Sequence, residues 1–133
     1  MIKNNLPVQR ESNREELIKF IIEGIHEVKG HEIVDIELNT IQNSICDDFI
    51  ICHGTSKRQV DAIADSVEKT VRENTKLKPW HKEGFQNAEW ILLDYVDVVV
   101  HIFNEQNRKF YNLEGLWADA KINYIDQKNE SIK

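Results

Sequence analysis

Residues 48–59 read Asp-Phe-Ile-Ile-Cys-His-Gly-Thr-Ser-Lys-Arg-Gln, and they predict a buried strand followed at once by a helix. The run from Phe49 to Cys52 is continuously apolar, which is typical of a strand covered on both faces of a sheet. Ser56 and Gln59 have the spacing of a capping box, which marks a helix start. The apolar positions behind them recur at intervals of three and four, at Val60, Ile63, Ala64, Val67 and Val71. We therefore expect a central strand that leads directly into a helix packed on the sheet.

The residues before this stretch predict a first helix and a second strand. Ser12 and Glu15 form another capping-box pair. The apolar residues that follow are spaced for one helical face, at Leu17, Ile18, Ile21, Ile22, Ile25 and Val28. Gly30 ends this helix. Apolar and acidic residues then alternate from Ile33 to Leu38, which predicts a strand that turns Asp35 and Glu37 towards solvent.

The residues after the stretch predict a hairpin and a last helix. Lys76 to Asn87 is expected to be a loop, and the strands from Trp90 to Leu93 and from Val98 to Phe103 are joined by a turn short enough for an antiparallel pair. The last helix has one apolar face, formed by Phe110, Leu113, Trp117 and Ala120. Phe110 and Trp117 are the aromatic residues that we expect to be buried. We expect the unit from Phe49 to Trp90 to be a right-handed β-α-β crossover.

These elements predict an α/β fold with a single domain, a mixed β-sheet flanked by helices and the order α-β-β-α-β-β-α. A chain of 133 residues can bury roughly two-thirds of its unfolded surface in one core, whereas two domains would each be marginal. We expect a flexible N-terminus over residues 1–11, the domain over 12–122 and a polar tail over 123–133. No apolar run is long enough for a membrane span and no secretory signal is visible, so a cytoplasmic protein is expected.

The formal net charge of -6 argues against nucleic acid as a direct, sequence-specific partner. Between Glu11 and Asp48 the chain is strongly acidic, and its only lysines and arginines there are Arg14, Lys19 and Lys29. Such a face would attract a basic partner and repel a phosphate backbone. Taken alone, the charge is more simply explained by solubility.

Asp94 and Asp97 could hold a divalent cation for phosphoryl or nucleotidyl transfer, with the amides of Gly54-Thr-Ser offered to a phosphate. Neither stretch supplies a third ligand, a base or a cation that would neutralise phosphate charge. Aspartates at strand ends commonly bond to nearby backbone amides, and we favour that interpretation. A metal-dependent enzyme of nucleotidyltransferase type that uses Asp94 and Asp97 is the alternative.

Other catalytic or metal sites receive little support. Cys46, Cys52 and His53 are too few and wrongly spaced for structural zinc, and Cys52 fits better as a core residue. A nucleophile at Ser56 or Cys52 with His53 or His101 lacks the hydrolase motif, and Ser56 already caps a helix. We expect no metal and no cofactor.

Aromatic residues concentrate in the last third of the chain and predict a surface for a protein partner. Trp and Tyr are among the residues that most often anchor interfaces. Strand alternation places Trp90 and Leu92 on one face and Ile91 and Leu93 on the other. If helices cover one face, the other face exposes an apolar patch.

Two long stretches resemble the ribosomal silencing factor family, RsfS, also called Iojap-like. The first is Trp-Ile-Leu-Leu-Asp-Tyr-Val-Asp-Val-Val-Val-His-Ile-Phe from residue 90, followed by Arg-Lys-Phe-Tyr-Asn-Leu-Glu-Gly-Leu-Trp-Ala-Asp-Ala at 108–120. The second is Asp-Phe-Ile-Ile-Cys-His-Gly-Thr-Ser-Lys-Arg-Gln-Val-Asp-Ala-Ile-Ala-Asp at 48–65, and Glu83-Gly84 also matches. The resemblance runs from about Leu17 to Ala120, in the order and spacing of the family.

The resemblance implies a factor that binds the large ribosomal subunit through its protein uL-fourteen, at the face that meets the small subunit. There it would block an intersubunit bridge, keep the subunits apart and repress translation when nutrients are short. It also implies a shape like that of nucleotidyltransferases without known catalysis, and a homodimer when free. We therefore expect a ribosome-binding protein rather than an enzyme.

The aromatic pattern and the resemblance together give the expected partner-binding residues. They are Trp90, Leu92, Tyr95, Asp97, His101, Phe103, Tyr111, Leu113, Glu114 and Trp117. The aromatic and apolar side chains would form or support the docking surface, and the carboxylates would complement basic groups of the partner. Val96 departs from the family pattern, which usually has glycine there, so we expect a strained turn or one of another type.

Overall fold

A mixed sheet organises the protein, whose computed structural model describes residues 7–39, 41 and 44–126. The helices are α1 (Pro7–Glu27), α2 (Lys57–Thr75), α3 (Glu105–Tyr111) and α4 (Leu113–Leu116). The strands are β1 (His31–Glu37), β2 (Asp48–Gly54), β3 (His81–Glu83), β4 (Trp90–Asp94), β5 (Val98–Asn104) and β6 (Lys121–Tyr124). They form one sheet in the order β3-β4-β5-β2-β1-β6. None of the helices in this part of the chain could cross a membrane.

Strand β2 lies at the centre of the sheet, as its apolar sequence predicts, and every residue of it is buried. It pairs antiparallel with β1 and parallel with β5. The predicted crossover from β2 to β4 is wrong, because β4 is antiparallel to β5 and does not contact β2 in the sheet. The reason lies in the two hairpin strands: β4 buries alternate residues, whereas β5 is buried on both faces and therefore occupies the inner position.

Two apolar clusters lie on opposite faces of the sheet. Helices α1 and α2 cover the first face with Leu17, Ile21 and Ile25 from α1 and with the predicted stripe of α2, and the strands contribute Ile91 and Leu93. The second face carries Phe49, Phe103 and Leu113, against which Trp90, Leu92 and Trp117 are only partly buried. The predicted alternation of Trp90 and Leu92 with Ile91 and Leu93 is confirmed, and the second face is the less covered one.

The two long helices differ in how well the sequence located their ends. Ser56 caps α2 as predicted, because its hydroxyl oxygen accepts a hydrogen bond from the Gln59 N–H at 3.1 Å. Helix α1 begins at Pro7, so the predicted start at Ser12 is wrong and the segment 1–11 overlaps the helix. Proline suits a first helical turn because its missing N–H would have no partner there. Residues 1–6 lie outside the described part.

The two edge strands, β3 and β6, were not predicted. Both are short and polar, and they add one strand at each edge of the sheet. Asp35 is buried at 8% exposure beside the Arg14–Asp48 pair, on the face of the sheet that α1 covers, so the prediction that it faces solvent is wrong. Asn123 and Tyr124 belong to β6 and not to the predicted tail, of which residues 127–133 lie outside the described part.

The predicted last helix is broken into α3 and α4 at Asn112, which has a φ of 47°. A left-handed residue ends a helix, and asparagine tolerates that conformation better than most residues. The break turns Phe110 outwards, so that it is 78% exposed and the prediction of its burial is wrong. Trp117 is half-buried and packs edge-on against Phe49, with 6.0 Å between ring centroids.

The turn between β4 and β5 is strained at Val96, as the departure from glycine predicts. Val96 has a φ of 77°, and the Asp97 N–H donates to the Tyr95 carbonyl at 3.0 Å across it. These features describe a γ-turn with positive φ, which is rare and strained. The side chain of Val96 is 58% exposed, so burial does little to offset the strain.

Replacing Val96 with glycine is expected to raise the free energy of unfolding by about 1 kcal/mol, since glycine adopts positive φ without a steric cost. Val96→Ala keeps the steric cost at Cβ, so it should gain clearly less. Chemical denaturation of the three proteins measures the difference. A Val96→Gly protein that unfolds more easily than the parent would contradict the assignment of strain to this residue.

A buried ion pair joins α1 to the sheet. The Arg14 Nε donates to Asp48 Oδ1 at 2.6 Å and its Nη2 donates to Asp48 Oδ2 at 3.2 Å. The Asp48 side chain is 0% exposed and the Arg14 side chain 10%. Asp35 lies beside this pair and shares a hydrogen bond with Asp48, while its Oδ1 has no hydrogen-bond partner in the described part of the chain. The positive Arg14 guanidinium therefore lies beside a group of carboxyls that includes Asp48 and Asp35.

This group makes stability depend on pH. Burial raises the pKa of Asp35 from 3.8 to about 8, and Asp48 and Glu37 add to the effect. Between these values the folded protein holds a proton that the unfolded chain has released, so stability should fall as the pH rises and level off above about 8. Asp35→Asn should flatten this part of the stability curve. Urea denaturation across pH 4 to 9 would reveal it, and identical slopes for both proteins would contradict a protonated Asp35.

Candidate functional site

Trp90 is the centre of an aromatic cluster on the second face of the sheet. Its indole stacks on Phe103 with 4.8 Å between ring centroids and lies 4.7 Å from the ring of Tyr111. Tyr111 in turn contacts Phe110 at 5.0 Å. We name the outward part of this cluster the Trp90 surface and define it by five residues: Trp90, Leu92, Phe110, Tyr111 and Trp117.

The Trp90 surface is apolar and open at one side. Phe110 and Tyr111 are 78% and 43% exposed, whereas large aromatic side chains are more often buried in a core. A depression of about 260 Å³ lies beside Trp90 and is lined by Glu83, Gly84, Trp90 and Leu92. Gly84 has a φ of 93° there, and any side chain at this position would collide with the Trp90 carbonyl oxygen. The Glu-Gly of the family pattern thus allows β3 to lie against Trp90.

Three predicted site residues support this surface from beneath. His101, Phe103 and Leu113 are 4%, 1% and 9% exposed, so they are placed to hold the outer side chains rather than to contact a partner themselves. Phe103 lies directly opposite Trp90 in the β4–β5 pair. The hairpin therefore brings Trp90, Leu92, His101 and Phe103 together as the sequence predicts.

His101 has a fixed tautomer. The Trp90 Nε1–H donates to His101 Nδ1 at 3.0 Å, so the ring proton of neutral His101 is on Nε2. Burial lowers the pKa of His101 to about 4, which keeps the ring neutral near pH 7. Its Nε2 is buried and has no hydrogen-bond partner among the described residues. A buried donor of this kind is costly, and it leaves a polar group unsatisfied beneath the Trp90 surface.

Tyr95 and Asp97 are separated from the other predicted residues. The Tyr95 ring belongs to the apolar cluster that α1 and α2 cover, on the first face of the sheet. Asp97 lies in the β4–β5 turn, where its carbonyl accepts from the N–H groups of Asp47 and Asp48. The structure therefore places both residues at the far end of the hairpin from Trp90.

Glu114 is paired inside the protein. Its Oε2 accepts hydrogen bonds from Arg108 Nη2 at 2.7 Å and from Nε at 3.1 Å. The same guanidinium lies 2.9 Å from Nδ1 of the buried His53 and donates to the His31 carbonyl. The predicted role of Glu114 as a free charge for a partner is therefore weakened. Sequence reasoning missed Arg108, since an arginine on a predicted surface helix gives no signal of burial.

The residues considered for catalysis or metal binding make turn and core contacts instead. The Asp94 Oδ1 accepts from the Val96 N–H at 2.8 Å, so the interpretation of Asp94 as a turn residue is confirmed. Cys52 is buried, and burial raises the pKa of both Cys46 and Cys52 to about 12. Within the described ranges no group of three or more histidine, cysteine or acidic side chains is arranged to hold a metal ion.

Residues 11–133 match the family model described as ribosomal silencing factor during starvation. The chain belongs to the RsfS family. Among its relatives, the ribosomal silencing factor RsfS of Halalkalibacterium halodurans is 38% identical over 108 residues, which cover 81% of this chain and 91% of the relative. The protein of the same name from Bacillus subtilis is 36% identical over 114 residues, which cover 86% of this chain and 95% of the relative.

Solved structures of similar proteins share the fold of this chain. A crystal structure of a protein from Chromobacterium violaceum is 31% identical and superimposes with a TM-score of 0.74 over 86% of this chain and 95% of that one. A structure from Bacillus halodurans is 34% identical, with a TM-score of 0.68 over 84% of this chain and 98% of that one. The predicted family and the predicted α/β class with a mixed sheet are confirmed, whereas the order of elements differs as described above.

Proposed function

We propose that this RsfS-family protein represses translation by binding the large ribosomal subunit in the cytoplasm and preventing the small subunit from joining it. The observation that carries the proposal is the family match over residues 11–133, together with relatives that bear the name ribosomal silencing factor. We further propose that the direct contact is the large-subunit protein uL-fourteen and that the free protein is a homodimer.

The Trp90 surface supports a docking role. It combines exposed aromatic side chains with rigid backing from Phe103 and Leu113, and such preorganised anchors lose little entropy on binding. The mechanism is steric, so it requires no catalytic group.

The charge of the protein supports a basic partner. With a formal net charge of -6, the molecule is repelled by ribosomal RNA and attracted by a ribosomal protein rich in lysine and arginine. Rim charges of this kind mainly govern the rate of association and its dependence on salt. We therefore expect association with isolated uL-fourteen to slow as the ionic strength rises.

The decisive experiment uses purified subunits. Large subunits incubated with the protein should retain it during sedimentation, and they should then form fewer complete ribosomes when small subunits are added. Isolated uL-fourteen should bind the protein in a separate titration. Binding to large subunits without any effect on joining would overturn the steric mechanism, and binding to subunits without binding to uL-fourteen would overturn the proposed contact.

A further inference from the structure

Helix α3 carries two residues of the Trp90 surface, Phe110 and Tyr111, but it does not attach to the sheet through apolar residues of its own. The structure describes every residue of α3, and among them only Arg108 is buried. The next buried residue along the chain is Leu113, which lies in α4 beyond the break. A charged side chain is buried only where hydrogen bonds satisfy it. The attachment of α3 therefore depends on the partners of Arg108.

The Arg108 guanidinium bonds to groups from three other elements. Its Nε and Nη2 donate to Glu114 Oε2 in α4 at 3.1 and 2.7 Å. Its Nη1 donates to His53 Nδ1 in β2 at 2.9 Å and to the His31 carbonyl in β1 at 3.4 Å. Arginine always carries its protons, so His53 Nδ1 is the acceptor and the ring proton of neutral His53 is on Nε2. We name Arg108, His53 and Glu114 the Arg108 network.

The Arg108 network lies one helical turn from Tyr111. The Arg108 carbonyl accepts from the Asn112 N–H at 2.9 Å, and this bond closes α3 directly after Tyr111. The Tyr111 ring lies 4.7 Å from the Trp90 ring and 6.3 Å from the Phe103 ring, measured between centroids. Because α3 has only seven residues, a shift of Arg108 away from the sheet would move Tyr111 with it.

His53 accepts the bond from Arg108 only while its ring is neutral. Burial and the positive charge of Arg108 lower the pKa of His53 from 6.5. The other titratable groups that act on the ring are Glu105 of α3 with His31 and Glu32 of β1, and the His31 ring stacks on it at 5.4 Å. A proton on Nδ1 would bring two positively charged donors together. The attachment of α3 should therefore weaken as the pH falls below about 6.5.

We propose that Arg108 is a positioning residue for the Trp90 surface: its bonds to His53 and Glu114 hold α3 on the sheet and keep Tyr111 against Trp90, and protonation of His53 weakens this hold. The Trp90 surface thus has a buried polar support that is sensitive to acid. The effect on docking rests on the function proposed above, whereas the attachment of α3 can be tested on the free protein.

Amide hydrogen exchange of the free protein, measured by mass spectrometry on the peptide 105–117, reports how firmly α3 and α4 are attached. We expect Arg108→Met to lower the protection factor of this peptide by about tenfold or more, the effect of losing hydrogen bonds to a charged group. Lys109→Met is the matched control, because it makes the same change on the neighbouring exposed residue and should leave protection unchanged. Peptides from α2 should stay protected in both variants, which shows that they are folded.

The pH profile distinguishes the Arg108 network from simple packing. In the parent, the protection factor of the peptide 105–117, corrected for the intrinsic exchange rate, should fall by about threefold or more between pH 7 and pH 5. His53→Asn offers an amide oxygen in place of Nδ1 but cannot be protonated. It should therefore keep the protection seen at pH 7 and lose the dependence on pH. Equal protection in the parent and Arg108→Met, or an unchanged pH profile in His53→Asn, would overturn the proposal.

Binding to large subunits separates this inference from the proposed function. In sedimentation, Arg108→Met should bind more weakly than the parent by about threefold or more, because Tyr111 must be ordered again on binding. Lys109→Met should not bind more weakly. Full binding by Arg108→Met with a less protected α3 would overturn the positioning role and leave the proposed function intact. If the parent itself does not bind, the proposed function fails, and the exchange results still decide whether Arg108 holds α3.

Discussion

Replacing Trp90 with alanine is expected to weaken the binding of this protein to large ribosomal subunits by roughly thirtyfold or more, the effect of losing an aromatic anchor worth about 2 kcal/mol. The indole is held by Phe103 and Tyr111 and borders the depression beside Gly84. Its position is therefore fixed before a partner arrives, and its loss removes both contact area and the backing of Tyr111. Sedimentation with purified large subunits at several protein concentrations measures the effect.

The matched control is Trp80→Ala. Trp80 is 79% exposed. Its backbone N–H donates to the Asp94 carbonyl, which lies at the opposite end of β4 from Trp90. This change should leave subunit binding within twofold of the parent. Because Trp90 also contributes to packing, thermal unfolding must show that the variant is folded, and Tyr111→Ala provides a more exposed second test of the same surface. Full binding by folded Trp90→Ala and Tyr111→Ala proteins would show that this surface is not the docking site.

Replacing Arg14 with methionine is expected to lower the free energy of unfolding by about 3 kcal/mol or more, the cost of removing one partner from a buried ion pair. The change leaves the fully buried Asp48 carboxylate without its guanidinium and next to Asp35. It also removes the polar link between α1 and the sheet. Denaturation in urea at pH 7 provides the measurement.

Two further variants make this result specific. Arg58→Met removes a positive charge from the exposed start of α2 and should change stability by less than about 0.5 kcal/mol. Asp35→Asn in the Arg14→Met background should change stability little further at pH 7, since the pKa of Asp35 is raised to about 8 and the substitution replaces a carboxyl that is already neutral. An Arg14→Met protein as stable as Arg58→Met would mean that the pair contributes nothing net.

The sequence predicted the elements whose signals are local. The stripe of α2 and its cap at Ser56 depend only on neighbours within one or two turns, and both are confirmed. The same holds for the strained turn at Val96, which the missing glycine indicates. The alternation that separates Trp90 and Leu92 from Ile91 and Leu93 is also confirmed, although it did not indicate which of the two faces the helices cover.

What the sequence did not predict depends on contacts between distant segments. Strands β3 and β6 are short and polar, so no periodicity marks them, and they exist because a neighbouring strand offers free N–H and C=O groups. The burial of Asp35 follows from the packing of α1, whose Arg14 pairs with Asp48, over this face of the sheet, and so was missed as well. The prediction that Phe110 is buried was wrong because Asn112, whose backbone is in the left-handed conformation, breaks the helix and changes its direction.

In the candidate site too, the local patterns were predicted and the contacts between distant segments were not. Trp90, Leu92, His101 and Phe103 share one hairpin, so their grouping could be predicted from register alone. Tyr95 is close to them in sequence but passes to the other face of the sheet after the strand ends. No local pattern indicates that Arg108 is buried, because its burial depends on contacts with His53 and Glu114, which belong to other elements.

The parallel pairing of β2 with β5 has a consequence for how the chain folds. Asp48 pairs with Val98, a separation of 98 − 48 = 50 positions, whereas β2 meets β1 through a short connection. Long loops close later than short ones, because their closure entropy must be paid before the contact forms. During synthesis, β2 therefore leaves the ribosome with one edge unpaired. That edge stays unpaired until α2 and the β4–β5 hairpin have also been made, and only then is the sheet complete.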